Sequence, residues 1–222
     1  MKYKKIVHAT FLERPNRFIA RVLVDKKTET VHVKNTGRCK EILLPGAEVI
    51  LEESDNPKRK TKYDLITAWK ENIGWINIDS QSPNKIVMEW LMEQGFDYIK
   101  PEFTYGNSRI DFYMEKGNEK YLMEVKGCTL EIDGVGYFPD APTERGVKHL
   151  KELTKAVKEG YHAMVAFVIQ MEGITEVRPY EQRHPEFAKA FYEAKEEGVE
   201  VIFICCKVYE DEVKFTGSLE LQ

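Results

Sequence analysis

The sequence predicts a mixed α/β chain in two parts, a small barrel of five short strands over residues 1–81 followed by an αβββαβ domain over residues 82–222. Three observations predict it. Short segments rich in β-branched and aromatic residues, separated by turn signals, fill the first part. After Ser82 the apolar residues recur at helical spacing, and beyond Gly95 strand-like and helix-like segments take turns to the end of the chain. A chain of 222 residues with 42% hydrophobic and 32% charged residues can bury a sizeable core, which excludes the disordered and membrane-spanning classes.

The five barrel strands are expected in RFIARVLVD, TETVHVKN, AEVILEES, YDLITAWKE and GWINID. Turn chemistry lies between them at Asn35-Thr36-Gly37, at Pro45-Gly46 and over residues 54–60. An OB-like barrel of this size commonly offers one strand face and its loops to an oligonucleotide. The second part opens at Ser82-Pro83-Asn84 with a helix carrying Ile86, Val87, Trp90 and Leu91 on one face. Three strands follow in DYIKPEFTY, SRIDFYME and KYLMEVKGCTL, the last two joined by a tight turn at Lys116-Gly117-Asn118. A second helix starts around residues 140–143, buries Val147, Leu150, Leu153 and Val157, and stops at Gly160. The strand HAMVAFVIQ, a helix over HPEFAKAFYEAKEEG, the strand VEVIFICCKVY and a short end strand EVKFTGSL complete the order.

Charge is divided unevenly. Residues 1–62 hold 15 Lys+Arg against 8 Asp+Glu, a balance of +7, so the remainder carries −11 of the net −4. A basic part that attracts phosphate joined to an acidic part that holds cations would have this division. The four cysteines, Cys39, Cys128, Cys205 and Cys206, lack paired CxxC spacing and read as buried or inert thiols. The start, MKYKKIVHATFLERPNRF, has no apolar run long enough for a secretory signal, and no later run is long enough to span a bilayer, so a cytoplasmic protein without a membrane partner is expected.

Period-two alternation in SRIDFYME puts Ile110, Phe112 and Met114 on one face and Arg109, Asp111 and Tyr113 on the other. In the partner strand, Leu122, Glu124 and Lys126 share a face, and a short hairpin can bring Asp111 beside Glu124. Two neighbouring carboxylates repel unless a cation lies between them, and hard oxygen donors suit Mg²⁺ or Mn²⁺. Such a cation polarises a phosphate oxygen and acidifies a bound water, while Lys126 orients that water or offsets developing charge.

Asp, a dozen or so residues, then Glu-x-Lys on adjoining strands resembles the PD-(D/E)xK nuclease superfamily. The runs GNSRIDF, MEVKGCTL, GYFPDAPTERGVKHLKEL, Asn35-Thr36-Gly37 and SPNKIV resemble, over nearly the full chain, the sugar fermentation stimulation protein A family. That resemblance implies an amino-terminal OB-like domain, a restriction-endonuclease-like carboxy-terminal domain and binding to DNA. Carried over by motif, Asp111 and Glu124 are the carboxylates and Lys126 the lysine. Asp140, Glu144, Arg145, Lys148 and His149 are auxiliary residues around the second helix, with Arg145 and His149 on a face turned away from Val147 and Leu150. Glu89, on the preceding helix, stands where related nucleases often supply a third carboxylate. The barrel departs from the family pattern HCPNTGSM, reading His32-Val33-Lys34-Asn35-Thr36-Gly37-Arg38-Cys39, which makes the turn more basic. Arg17, Lys34, Asn35, Arg38, Arg59, Lys60 and Arg109 are the candidate DNA contacts. Phe18 and Trp69 can act as stacking surfaces, although the barrel core is their expected place.

The function expected is a DNA-binding nuclease dependent on Mg²⁺ or Mn²⁺; an enzyme that processes RNA or single-stranded DNA would use the same residues and differ only in substrate. The alternative is a non-catalytic DNA-binding regulator of sugar-metabolism genes built on a nuclease-like scaffold.

Overall fold

The computed structural model describes residues 1–220. Strands β1 (Ile6–Asn16), β2 (Ile19–Val24), β3 (Lys27–Val33), β4 (Glu48–Glu53), β5 (Tyr63–Lys70) and β6 (Gly74–Asn77) form one sheet in the order β3-β2-β1-β4-β5-β6. A parallel pairing of β3 with β5, His32 to Asp64 and Val33 to Leu65, closes β1 to β5 into a five-stranded barrel with β6 appended. The expected number of barrel strands holds, but the membership differs. IVHATFLERPN forms β1, and GWIN lies outside the closed ring. Alternation builds the interior: Ala20, Val22 and Val24 of β2 point inward between outward-facing Arg21 and Leu23. Strand β5 is buried on both faces because its outer face, with Ile66 beside Ile50 of β4, packs under the second part of the chain.

That second part begins with α1 (Ser82–Met92) and continues with β7 (Tyr98–Tyr105), β8 (Ser108–Lys116) and β9 (Glu119–Cys128). Two short strands, β10 (Leu130–Ile132) and β11 (Val135–Phe138), precede α2 (Glu144–Lys158), and β12 (His162–Ile169) follows it. The chain ends with β13 (Val177–Pro179), α3 (Pro185–Glu196), β14 (Glu200–Val208) and β15 (Val213–Glu220). The main sheet runs β15-β14-β12-β9-β8-β7, and β10, β11 and β13 make a small separate sheet. Helix α1 covers one face of the main sheet through Ile86, Val87, Trp90 and Leu91, which meet Phe112, Met114, Met123 and Val125. On the other face, α2 and α3 bury Leu150, Leu153, Phe187 and Phe191 against Phe167 and Phe203. No helix of the described residues is long and apolar enough to cross a membrane.

A buried polar knot joins the barrel to this domain. Gln170, just after β12, donates through Nε2 to Asn77 Oδ1, Asp79 O and Ser82 Oγ at 2.9–3.1 Å. Asn77 Nδ2 donates to Tyr3 Oη at 2.8 Å, and Ser82 Oγ donates to Asn77 Oδ1 at 2.6 Å. Because buried polar groups are costly unless every one is paired, the knot fixes where α1 begins.

Candidate active site

Local sequence places the carboxylates. Gly117, with φ +60, turns β8 into β9, and the two strands pair from Lys116 with Glu119 to Phe112 with Met123. Beyond that pair the Asp111 carboxylate itself takes the backbone: Val125 N–H donates to Asp111 Oδ2 at 2.8 Å. Glu124 and Lys126 continue along β9, which runs parallel to β12 with Val165 opposite Glu124 and Phe167 opposite Lys126. Asp111 and the Glu-x-Lys pair thus meet at the mouth of the hairpin.

Strict alternation does not survive in β8. Ile110 joins Tyr113 and Leu122 in the cluster under α2, whereas Phe112 and Met114 join the cluster under α1. The change of face falls at Asp111, opposite Glu102 of β7, which has φ +56. It lets Asp111 reach toward α1, where Asn84 Nδ2 donates to Asp111 Oδ1 at 2.8 Å. Asn84 follows Pro83 in the first turn of α1, so the polar knot that seats Ser82 also aims Asn84.

Glu124 is 3% exposed. Its Oε1 accepts from Lys126 Nζ at 2.5 Å and from His149 Nδ1, while the buried Oε2 has no hydrogen-bond partner among the described residues. Arg145 Nε donates to His149 Nε2 at 3.3 Å, which leaves the imidazole proton on Nδ1, facing Glu124. Burial pushes the Asp111 carboxyl above its ordinary value, and the charge of Glu124 adds to the effect. Burial also acts upward on Glu124, but Lys126 and the His149 hydrogen bond outweigh it and hold the group below its ordinary value. Asp111 and Glu124, one carboxylate kept charged and a second destabilised by that charge, are the two groups that could hold a hard divalent cation, with Glu124 Oε2 the oxygen left unpartnered; no group of three or more His, Cys, Asp or Glu side chains among the described residues is placed to do so.

The other expected residues divide into those near this centre and those turned elsewhere. His149 is buried against the sheet, on the same side of α2 as Leu150 and Leu153, not on a separate outer face. The buried stripe is centred on Gly146, His149, Leu150, Leu153 and Ala156, with Val147 and Val157 at its margins. Arg145 and Lys148 are exposed beside it, and Glu144 stands at the helix start after the Thr143 cap. Asp140 turns toward the barrel, where its Oδ2 accepts from Arg38 N–H at 2.9 Å. Glu89 pairs with the Met1 ammonium at 2.9 Å, so the third carboxylate expected from α1 is committed to the amino terminus, and Asn84 meets Asp111 instead.

Several expected DNA contacts are also consumed internally. Lys34 lies among Glu52, Asp64 and Asp79 at 3.4–3.5 Å, and Arg59 grips Asp64 with both terminal nitrogens at 2.6–2.7 Å. Asn35 donates to Ile78 O and accepts from Gly37 N–H, and Arg109 pairs with Glu102. Arg17, Arg38 and Lys60 keep exposed side chains. Phe18 and Trp69 are 46% exposed and are not barrel core; Arg17 lies over the Phe18 ring at 4.8 Å. Sequence reasoning missed Arg14, whose guanidinium donates to the carbonyls of Arg17, Asn35, Gly37 and Arg38 and holds the basic turn in shape. It also missed Asn84, although SPNKIV was among the family-like runs.

A cleft of about 420 Å³ lies between the parts, lined by Arg17, Asn35 and Gly37 on one side and by Gly127, Asp140 and Gln170 on the other. It borders the carboxylates without containing them. Gly127 directly follows Lys126, and a Cβ there would meet Gln170 Oε1 at 2.4 Å and Pro83 Cγ at 2.9 Å, so the close approach of α1 requires glycine.

Comparison with known proteins gives matches over both parts. Residues 81–212 match the family model described as Sugar fermentation stimulation protein RE domain, and residues 12–78 match SfsA N-terminal OB domain. A sugar fermentation stimulation protein homolog of Desulfitobacterium hafniense (strain Y51) is 53% identical over 218 residues, covering 96% of this chain and 95% of that protein. A homolog of the same description from Clostridium beijerinckii is 51% identical over 225 residues, covering 100% and 99%. Among solved structures, Pyrococcus furiosus SfsA in complex with Ca²⁺ superposes with a TM-score of 0.88 at 29% identity, over 99% of this chain and 96% of that one.

Proposed function

The chain belongs to the sugar fermentation stimulation protein family, and from that premise we propose that it is a DNA-binding, divalent-metal-dependent nuclease that hydrolyses phosphodiester bonds. The observation that carries this reading is the buried, unpartnered Glu124 Oε2 beside Asp111 and Lys126 at the mouth of one hairpin. The Ca²⁺ bound by the Pyrococcus furiosus relative supports a divalent cation here. Asp111 and Glu124 would hold it, and Mg²⁺ or Mn²⁺, once bound, supplies Lewis acidity to a phosphate oxygen and lowers the pKa of a water.

The chain's own groups do the rest. Asn84 and Val125 N–H fix both oxygens of Asp111, so the carboxylate meets its ligand already oriented. His149, held by Arg145, fixes Glu124 through Oε1, the oxygen that Lys126 also holds. Lys126, 13% exposed, carries an ammonium in contact with Glu124 and can transfer its donors to a water or to charge building on the phosphate. Arg17, Arg38 and Lys60 on the barrel would take the strand backbone.

The test is purified full chain with double- and single-stranded DNA and RNA, in Mg²⁺, Mn²⁺ or EDTA. Asp111→Asn and Lys126→Ala should each lower cleavage by about 10²-fold or more while oligonucleotide affinity stays nearly unchanged. Absence of cleavage with any metal on any of these substrates overturns the enzyme reading and favours a DNA-binding regulator on a nuclease-like scaffold. So does undiminished cleavage by both variants.

A further inference from the structure

Beside the carboxylates, between the turn that opens β8 and the first two turns of α2, lies a second pocket of about 350 Å³. Ser108, Arg109, Glu144, Arg145, Lys148 and His149 line it. Ser108 is 6% exposed, and its buried Oγ has no hydrogen-bond partner among the described residues. A buried hydroxyl left unpaired is costly, so its presence at the wall of a basic pocket calls for a ligand oxygen.

The cations around it have donors to spare. Arg145 spends Nε on His149, and its two terminal nitrogens have no hydrogen-bond partner among the described residues. Lys148 gives one N–H to Asn107 O at 2.6 Å and keeps two. Arg109 is tied to Glu102 at the surface. The opposing carboxylate, Glu144, is 92% exposed and lies 3.6 Å from His184 Nε2. Guanidinium and ammonium donors lining one small space, with the Ser108 hydroxyl buried in its wall, match a tetrahedral oxyanion. His149 connects this space to Glu124, because it lines the pocket with its ring and touches Glu124 through Nδ1. A ligand spanning the carboxylates and this pocket therefore carries repeated anionic groups.

We propose that Ser108, Arg145 and Lys148 form a subsite for a phosphate group of a nucleic-acid strand, adjacent to the phosphate held at Asp111 and Glu124. The proposal rests on the reading of those carboxylates as a phosphodiester-cleaving centre, and it adds where the strand continues. Ser108 donates its hydroxyl proton to a non-bridging oxygen, and Arg145 and Lys148 neutralise the charge.

The experiment measures binding, so that its outcome is separate from cleavage. Full-length protein in EDTA is titrated with a labelled single-stranded DNA oligonucleotide in which one phosphate at a time is a neutral methylphosphonate, and anisotropy is followed. The parent should lose about tenfold in affinity at one position, the loss expected for a charged hydrogen bond. Arg145→Ala and Lys148→Gln should each weaken the unmodified strand to a similar degree and become insensitive to methylphosphonate at that position alone. Ser108→Ala should weaken binding about fivefold without lowering Tm, because the hydroxyl it removes makes no bond in the folded chain. A structural role for Ser108 would lower Tm instead. If the loss appears only on removing a 5′- or 3′-terminal phosphate, the subsite holds a strand end; if at an internal position, a continuing strand. Equal sensitivity of parent and variants at every position overturns the subsite, as does the absence of oligonucleotide binding by the parent. Mn²⁺ binding at Asp111 and Glu124, measured without nucleic acid, reports on the carboxylate centre independently. Retained subsite coupling in a chain that never cuts would sink the nuclease reading and leave the phosphate site standing.

Discussion

Replacing Gly37 by alanine should unfasten the barrel turn from the segment that leads into α2. A methyl group on Gly37 would lie 2.1 Å from Asp140 Oδ2, 2.9 Å from Asp140 Cγ and 2.8 Å from Asn35 Oδ1. These distances are shorter than a carbon can hold, so the Asp140 carboxylate must leave. It then gives up the hydrogen bond from Arg38 N–H, a charge-assisted contact at an exposed site that contributes about 1.5 kcal/mol. Gly37 is not in the left-handed region, so alanine also restricts the unfolded chain and returns about 0.4–1 kcal/mol. The displaced Asn35 oxygen, which accepts from Gly37 N–H at 2.7 Å, adds about 0.5 kcal/mol of loss. Net destabilisation should be about 1 kcal/mol. In an Asp140→Ala background the main obstacle is already gone, and the same alanine should be close to neutral. Urea denaturation of the parent, the two single variants and the double variant gives the coupling, expected at about 1 kcal/mol. Additivity within about 0.3 kcal/mol would refute the clasp between Asp140 and the barrel turn.

Acid should weaken the barrel through Asp64. Burial pushes its carboxyl up, but the hydrogen bonds from Arg59 and His32 and the charge of Lys34 win and hold it down at about 2. A depressed carboxyl contributes stability that is present above its unfolded value of about 3.9 and is lost as pH falls through the folded value. On the order of 2 kcal/mol should therefore disappear between about pH 4 and pH 2, and the urea midpoint of Asp64→Asn should change less over that window. Lys34 and Arg38 should separate under salt: Arg38→Ala should reduce the slope of log affinity for DNA against log salt by about 0.9, one phosphate contact. Lys34→Met should leave that slope unchanged and alter Tm instead, because its ammonium serves Glu52, Asp64 and Asp79. Phe191→Ala should cost about 3–5 kcal/mol in chemical denaturation, since its ring is 2% exposed and packs between Phe167 and Phe187.

Long, strongly patterned elements were legible in the sequence, and irregular or very short ones were not. HAMVAFVIQ and VEVIFICCKVY read as buried strands because their apolar runs are uninterrupted, and both are interior strands of the main sheet. Strand β1 is not legible from alternation because its ladder with β2 slips between Phe11 and Glu13 and again between Glu13 and Asn16, which destroys a period of two. Strands β10, β11 and β13 have three or four residues each, too few for any period to be read. Alternation also failed in β8, at Asp111, where the change of face carries the carboxylate toward Asn84.

Within the site, the three motif residues were legible because one hairpin brings them together, and a hairpin is a local event. The charges of the barrel were legible only as charges. Whether Lys34 faces solvent or three carboxylates depends on Asp79 and Asp64, which reach it through barrel closure and the chain beyond β6. The same dependence on distant chain governs Asn84, whose aim at Asp111 is set by Ser82, Asn77 and Gln170. The barrel is therefore part of the site's support as well as a neighbouring surface. A chain cut before Ser82 would deprive Gln170 Nε2 and Ser82 Oγ of Asn77 and Asp79, and each buried group so stranded costs about 1–3 kcal/mol. Loss of DNA affinity after such a cut would mix a missing surface with a disordered α1. Point changes at Arg17, Arg38 and Lys60, whose side chains are exposed and make no hydrogen bond to Asn77, Ser82 or Gln170 among the described residues, isolate the surface and leave the orientation of Asn84 intact.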